Sequence, residues 1–214
     1  MKRAEEFFTP EERERVRAAV AKAEGSTSGE IATMVVDASD SYREAEILGA
    51  VLLSGLLSVI LAVAIHHVTI WSYIPLVVLL YFPCWYLFRL VPRLKLPFAG
   101  GRRVVEAVRE RAVRAFYEKG LYLTREETGI LIFISLLERK VWILGDRGIN
   151  ERIDPHFWRE LAAQLARGLR EGRACDALCS VVAGCGAELA RHFPHRADDV
   201  NELQDEILTE RSSS

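Results

Sequence analysis

The chain has 214 residues, of which 50% are hydrophobic and 27% are charged, and its formal net charge is −2. Domains that bind nucleic acid carry a strong excess of basic residues, so this charge balance argues against a nucleic-acid partner. The four cysteines follow neither a disulfide framework nor the usual spacing of a zinc site, and we expect them to pack as small hydrophobic side chains.

The first predicted elements are a helix and a strand. Thr9, Pro10 and Glu12 form a capping-box pattern with proline at the first helical position, and the helix that they start runs to about Glu24. Residues 30–37 are almost continuously apolar after the first position, which is typical of a strand covered by helices on both faces. This stretch therefore predicts the first part of an α/β domain.

Residues 47–88 contain no Asp, Glu, Lys or Arg. A helix needs about 20 apolar residues to cross roughly 30 Å of hydrocarbon. The stretch holds two such lengths, at 47–65 and 68–88, with His66 and His67 between them. The pattern predicts a transmembrane helical hairpin, and a pair of helices buried in a soluble core is the alternative.

The charges around the predicted hairpin indicate its orientation. Basic residues stand on both of its flanks: Arg43, Arg89, Arg93, Lys95, Arg102 and Arg103. The loop between the two segments carries no Lys or Arg. Because Lys and Arg are in excess on the cytoplasmic side, we expect a multi-pass protein of the inner, cytoplasmic membrane with its N- and C-terminal parts in the cytoplasm. The basic residues are also expected to contact lipid headgroups.

The residues after the hairpin predict the rest of the domain. In chain order they predict a helix at 102–119, strands at 129–136 and 140–144, and helices at 155–171 and 174–193. This order is that of an α/β fold with an inserted hairpin. The predicted organisation is a first domain part at 1–46, the hairpin at 47–88, a basic linker at 89–101, a second domain part at 102–193 and a polar C-terminal tail at 194–214.

Strand direction predicts one candidate site. A crossover helix implies that the first two strands are parallel, and the third strand returns, so two strand starts and one strand end meet at a single cytosolic rim. Glu30, Glu127 and Asp146 lie at this rim and are expected to bind a divalent cation, Ca²⁺ or Mg²⁺. The predicted binding set is completed by Thr27, Ser28, Thr128 and Arg147. The alternative is that Arg147 forms a structural ion pair with Glu30 or Glu127.

Six short motifs, in their order along the chain, resemble the TPM domain. They are FTPEE at 8–12, TSGEI at 27–31, AFYEKGL at 115–121, TGILIFISL at 128–136, GDRGI at 145–149 and DVNEL at 199–203. The last motif resembles the tail of a bacterial subgroup of membrane proteins. The resemblance implies a three-layer α/β/α sandwich. It also implies diverse roles, because some family members are described as acid phosphatases, some bind calcium or other divalent ions, and others are accessory proteins of membrane complexes.

The residues and the resemblance support two functional hypotheses. The first is a non-enzymatic, membrane-anchored accessory or interaction protein, because the sequence has no G-x-S-x-G, P-loop, H-E-x-x-H or G-x-G-x-x-G motif and a hairpin holds a small domain at the bilayer. Its expected partners are the lipid bilayer and another membrane protein or complex. The alternative is a divalent-cation-dependent acid phosphatase, in which the rim carboxylates hold a cation that polarises a phosphate and Arg147 clamps its oxygens. The internal hairpin and Arg147 depart from the family pattern and favour the first hypothesis.

Overall fold

The computed structural model describes residues 3–65, 70–124, 127–195 and 206–209. The helices and strands are α1 (Pro10–Glu24), β1 (Glu30–Val36), α2 (Arg43–Ala64), α3 (Ile70–Leu90), α4 (Leu96–Ala99), α5 (Gly101–Glu118), β2 (Gly129–Ser135), β3 (Lys140–Gly145), α6 (Arg147–Asn150), α7 (Pro155–Arg170) and α8 (Ala174–His192). The chain divides into two compact units. We call residues 1–39 with 107–214 the sheet unit, and residues 40–106 the hairpin unit.

The sheet unit contains a three-stranded sheet in the order β1-β2-β3. β1 and β2 are parallel, with Glu30 opposite Gly129, whereas β2 and β3 are antiparallel, with Ile130 opposite Gly145. The predicted α/β class and the predicted strand directions are therefore confirmed.

Alternate residues of β1 face two separate hydrophobic clusters. Ile31 and Val35 belong to a cluster with residues of α1, α7 and α8, whereas Ala32, Met34 and Val36 belong to a cluster with residues of α5. Side chains of a strand alternate between the two faces of a sheet, so a cluster on each face means that helices cover both. The continuous apolar pattern of β1 follows from this burial on both sides.

Helix α1 begins as its capping-box pattern predicts. Thr9 Oγ1 accepts a hydrogen bond from the Glu12 N–H at 3.2 Å, and the Thr9 N–H donates to Glu12 Oε2 at 2.9 Å. Pro10 occupies the first helical position, where the N–H that proline lacks would have no helical partner. Local sequence alone thus determines where this helix starts.

Part of the predicted polar tail belongs to the sheet. The Val35 N–H donates to the Leu208 carbonyl oxygen at 3.0 Å, and the Leu208 N–H donates to the Thr33 carbonyl oxygen at 2.8 Å. Ile207 and Leu208 are buried in the two hydrophobic clusters. The segment covers the edge of β1 that faces away from β2, and it is too short for its periodicity to be recognised in the sequence.

In the hairpin unit, α2 and α3 pack together through small residues. Ser54 and Ser58 are fully buried, and their hydroxyl groups donate to carbonyl oxygens of their own helix at 3.0 and 2.7 Å. A Cβ atom at Gly49 would overlap the ring of Phe88, so glycine is required for this close approach. Packing through small side chains is common between membrane helices.

The segment predicted as a basic linker, residues 89–101, is folded. Helix α3 continues to Leu90, a 3-10 turn covers Pro92–Lys95, and α4 follows. Lys95, one of the flanking charges expected to contact lipid headgroups, is instead buried, and its Nζ lies 2.5 Å from Glu46 Oε2. A buried ammonium group needs a partner of opposite charge, and the sequence does not reveal a partner that lies so far away along the chain.

Two of the described helices, Arg43–Ala64 and Tyr73–Leu90, are long and apolar enough to cross a membrane by length and composition. Only 28% and 11% of their apolar windows are buried within the structure, whereas a helix from the core of a soluble protein is mostly buried. The predicted turn at His66 and His67 lies outside the described residues. The two helices are thus the two segments that the sequence predicts, and their apolar surface is largely uncovered.

Candidate functional site

The predicted rim forms where the starts of β1 and β2 meet the end of β3. The Glu30 N–H donates to the Thr128 carbonyl oxygen at 3.2 Å, and the Asp146 N–H donates to the Gly129 carbonyl oxygen at 2.9 Å. The backbone of the three strand ends is therefore joined by hydrogen bonds. Strand direction, read from the sequence, correctly indicates which residues meet here.

The hydroxyl residues of the rim hold the backbone together. Thr27 Oγ1 donates to the Phe193 carbonyl oxygen at 2.6 Å and accepts from the Gly29 N–H at 3.1 Å. Thr128 Oγ1 donates to the Ser28 carbonyl oxygen at 3.2 Å. The bonds to Phe193 and from Thr128 connect the loop before β1 to neighbouring segments, so Thr27 and Thr128 contribute to the fold of the rim.

The three predicted metal ligands have different environments. The Glu30 side chain is buried, whereas Glu127 is exposed and lies at a left-handed backbone position with a φ of 55°. Asp146 caps the short helix α6, because its Oδ1 accepts the Arg147 N–H at 2.7 Å. Asp146 Oδ2 and Ser28 Oγ are buried and have no hydrogen-bond partner among the described residues.

Arg147 forms its ion pair within its own helical turn. Its Nε lies 3.0 Å from Glu151 Oε1, and both side chains are well exposed. This hydrogen bond to Glu151, followed by the charges of Glu151 and Glu127, raises the pKa of the Arg147 guanidinium above its usual value. The alternative to the cation site pairs Arg147 with Glu30 or Glu127. The bridge in the structure is to Glu151, because residues four apart on a helical turn are neighbours.

The described rim does not assemble a metal site. Within residues 3–65, 70–124, 127–195 and 206–209, no group of three or more His, Cys, Asp and Glu side chains is placed so that it could hold a metal ion. Arg125 and Glu126, which the sequence also places at this rim, lie outside those ranges. Calcium and magnesium require several converging oxygen ligands. Cation binding by Glu30, Glu127 and Asp146 therefore stays a prediction.

The opposite end of the sheet has a buried polar network that the sequence does not predict. Glu138 Oε1 accepts the Ser39 N–H at 3.0 Å, Glu138 Oε2 accepts the Ser135 hydroxyl, and the Ser39 hydroxyl donates to Ser135 Oγ at 2.9 Å. Ser135 is completely buried, which makes it inaccessible as a nucleophile. The network fixes the β2–β3 turn to the end of β1. Ser39 is distant in sequence from Ser135 and Glu138, and the parallel pairing of β1 with β2 brings it beside them.

Comparison with known proteins agrees with this fold. The family model of the TPM domain matches residues 99–188. The NMR structure of BA42 protein from the psychrophilic bacterium Bizionia argentinensis sp. nov. is similar, with a TM-score of 0.61 and 21% sequence identity over 98% of this chain and 99% of that chain. No curated protein matches the sequence.

The comparisons confirm the predicted TPM resemblance. The motifs at 115–121, 128–136 and 145–149 lie inside the matched residues, whereas those at 8–12 and 27–31 precede them. The DVNEL motif at 199–203 lies outside the described residues. At 21% identity the similarity to the solved structure applies to the fold alone.

Proposed function

We propose that this chain, which carries a TPM domain over residues 99–188, is a membrane-anchored interaction protein without enzymatic activity. In this proposal α2 and α3 form a transmembrane hairpin. The sheet unit stays in the cytoplasm, where it binds another membrane protein or complex. The exposed apolar surface of the two helices is the observation that carries the proposal.

This apolar surface suits a bilayer better than water. Side chains that are more than half exposed occur along both helices: Leu52, Leu56, Ile60 and Val63 on α2, and Ile74, Val78, Leu79 and Phe82 on α3. Soluble monomers rarely expose a contiguous apolar patch of more than a few hundred Å². In hydrocarbon these side chains need no further cover, and a helix satisfies its own backbone hydrogen bonds.

The ends of the helices carry side chains suited to the two membrane interfaces. Trp71, near the start of α3, is 86% exposed, and Tyr86, near its end, is 58% exposed. The Arg89 guanidinium lies 5.3 Å from the centre of the Trp85 ring. Aromatic and basic side chains concentrate at the headgroup level, and flanking arginines remain on the cytoplasmic side. These features support cytoplasmic placement of both flanks.

The arrangement of the rim residues favours binding to a partner protein over catalysis. Thr27 and Thr128 are bonded to the backbone, Asp146 caps α6, and Arg147 pairs with Glu151. These groups stabilise the rim and leave the described residues without a converging catalytic set. A domain of this kind, held beside a bilayer, acts by presenting a rigid surface to a partner.

Alkaline extraction of membranes tests the proposed anchoring. The double variant Leu56→Arg/Leu79→Arg places an arginine near the centre of each helix, where it opposes insertion by about 3 kcal/mol. We expect the wild type to stay in the membrane pellet and the variant to appear in the supernatant or be degraded. Leu123→Arg is the matched control, because Leu123 is 70% exposed in the sheet unit, and it should stay in the pellet.

Two outcomes would refute the anchoring. In one, the wild type is recovered in the supernatant without detergent. In the other, the double variant remains in the pellet as firmly as Leu123→Arg. If cells degrade the variant, synthesis in vitro with inverted membrane vesicles repeats the comparison without proteolysis.

A further inference from the structure

The hairpin unit contains a cavity at the base of its two long helices. The cavity has a volume of about 290 Å³, close to the lower limit of about 300 Å³ for ligand pockets. Its walls come from residues 40–42, the first turns of α2, the end of α4 and the first turn of α5. The lining includes the basic Arg43 and Arg103, the acidic Asp40 and Glu44, and the apolar Leu48 and Phe98.

Two of the four charges are fixed in the wall. Arg103 Nη2 lies 2.9 Å from Asp40 Oδ2, and Asp40 Oδ1 accepts the Ser41 N–H at 2.6 Å. Arg43 and Glu44, in contrast, are exposed and form no hydrogen bond or ion pair with other residues that the structure describes. The cavity therefore presents one cation and one anion that remain available to a ligand, and its four formal charges sum to zero.

The apolar side of the cavity is continuous with the hairpin. Leu48 belongs to α2 and is half exposed, next to the apolar surface that the proposed anchoring places in hydrocarbon. Phe98 is held by an edge-on contact with Phe88 of α3, with 5.4 Å between ring centres. Charged groups and apolar surface thus meet at the cavity, as they do at the headgroup level of a bilayer.

We propose that this cavity binds the phosphoethanolamine headgroup of a membrane lipid. Arg43 binds the phosphodiester, for which the planar guanidinium is suited. The Glu44 carboxylate accepts hydrogen bonds from the primary ammonium, and Leu48 contacts the start of an acyl chain. A phosphoglycerol headgroup would leave Glu44 beside a net negative charge, and a choline headgroup has no N–H group to donate to it. The inference rests on the proposed membrane anchoring.

Ligand-induced stabilisation of the full-length protein in detergent tests the assignment. Short-chain dihexanoyl phosphatidylethanolamine, phosphatidylcholine and phosphatidylglycerol are compared by thermal shift and by native mass spectrometry, together with glycerophosphoethanolamine and inorganic phosphate. We expect the phosphatidylethanolamine to bind at least about tenfold more tightly than the other two lipids. Arg43→Ala and Glu44→Gln should each remove most of this preference. Arg102→Ala removes the same charge as Arg43→Ala outside the cavity lining and should preserve it.

Several results would overturn the proposal. Equal binding of the three lipids, or an unchanged preference in both Arg43→Ala and Glu44→Gln, removes the cavity as a headgroup site. Equal stabilisation by glycerophosphoethanolamine assigns the site to a soluble ester, and stabilisation by inorganic phosphate alone assigns it to the free anion. The extraction experiment is independent of this one. If the protein stays in the pellet but does not prefer phosphatidylethanolamine, the membrane anchoring is supported and the headgroup site is refuted.

Discussion

Lys95 Nζ lies 2.5 Å from Glu46 Oε2, and each of the two side chains is only 11% exposed. The same ammonium group donates to the Ser41 carbonyl oxygen at 3.3 Å. Glu46 belongs to the first turn of α2, whereas Lys95 ends the 3-10 turn that follows α3. The ion pair therefore closes the base of the hairpin, where two charges would otherwise lie beside apolar surface.

Removing one member of this ion pair should lower the free energy of unfolding more than removing both members. Lys95→Met leaves the Glu46 carboxylate buried without its partner. Such changes typically lower the free energy of unfolding by about 3–5 kcal/mol. Lys95→Met/Glu46→Leu removes the uncompensated charge and should recover most of the loss. Thermal unfolding in detergent measures both. An equal loss of stability in the two variants would show that the pair does not act through charge.

The C-terminal segment should stabilise the sheet unit. Deletion of residues 206–214 removes the buried Ile207 and Leu208 and exposes the edge of β1, with an expected loss of about 3 kcal/mol or more. An exposed strand edge also promotes association between chains. Thermal unfolding and size-exclusion chromatography detect the two effects.

A shorter deletion serves as the control for the C-terminal segment. Removal of residues 210–214 keeps the bond between Leu208 and β1 and should leave the unfolding temperature unchanged. If both deletions behave like the wild type, residues 207–209 do not hold the edge of the sheet.

The buried thiols of α8 should make the sheet unit less stable at high pH. Burial raises the pKa of Cys185 to about 12, and burial together with the neighbouring Cys179 raises that of Cys175 to about 11, from an ordinary value of 9.0. Above pH 9 the unfolded chain loses these protons and the folded chain keeps them. The free energy of unfolding therefore does not depend on the ionisation of these thiols below pH 9, and it falls as the pH rises from 9 toward 11–12.

Alkylation kinetics and a pH series of unfolding midpoints check this prediction. Iodoacetamide at pH 8 should leave Cys185 unmodified until the protein unfolds, because only the accessible thiolate reacts. Cys185→Ala should reduce the loss of stability between pH 9 and 11. Rapid modification of Cys185 in the folded protein would contradict its burial.

Divalent cations should not stabilise the rim. A ligand that binds only the folded state raises the unfolding temperature, and the described rim lacks the converging oxygens that such binding requires. We expect no shift with millimolar calcium or magnesium in the wild type, Glu30→Ala or Asp146→Ala. Asp146→Ala should also start about 1 kcal/mol less stable, because it removes the cap of α6. A shift in the wild type that both variants abolish would reinstate a cation site and justify a phosphatase assay.

The sequence predicts those features that depend on local pattern. The capping box of α1, the two long apolar helices and the directions of the three strands each follow from neighbouring residues or from the connection between elements. Strand direction was also enough to bring Glu30, Gly129 and Asp146 to one rim.

Features that depend on contacts between distant residues could not be predicted in this way. Lys95 looks like an exposed flanking charge until the fold places Glu46 beside it. Ser39 and Glu138 meet only because β1 and β2 are paired. Leu208 lies in a polar stretch whose apolar segment is too short to form a recognisable pattern, so its pairing with β1 becomes visible only in the folded chain.

Thiol labelling from the two sides of the membrane tests whether the hairpin crosses the bilayer with the rest of the chain in the cytoplasm. His67→Cys and Ser212→Cys are each made in a Cys179→Ser background and treated with an impermeant maleimide, first in intact spheroplasts and then after lysis. We predict labelling of His67→Cys in intact spheroplasts, and labelling of Ser212→Cys only after lysis. Labelling of both sites only after lysis would show that the hairpin does not cross the bilayer, and the reverse pattern would show the opposite orientation.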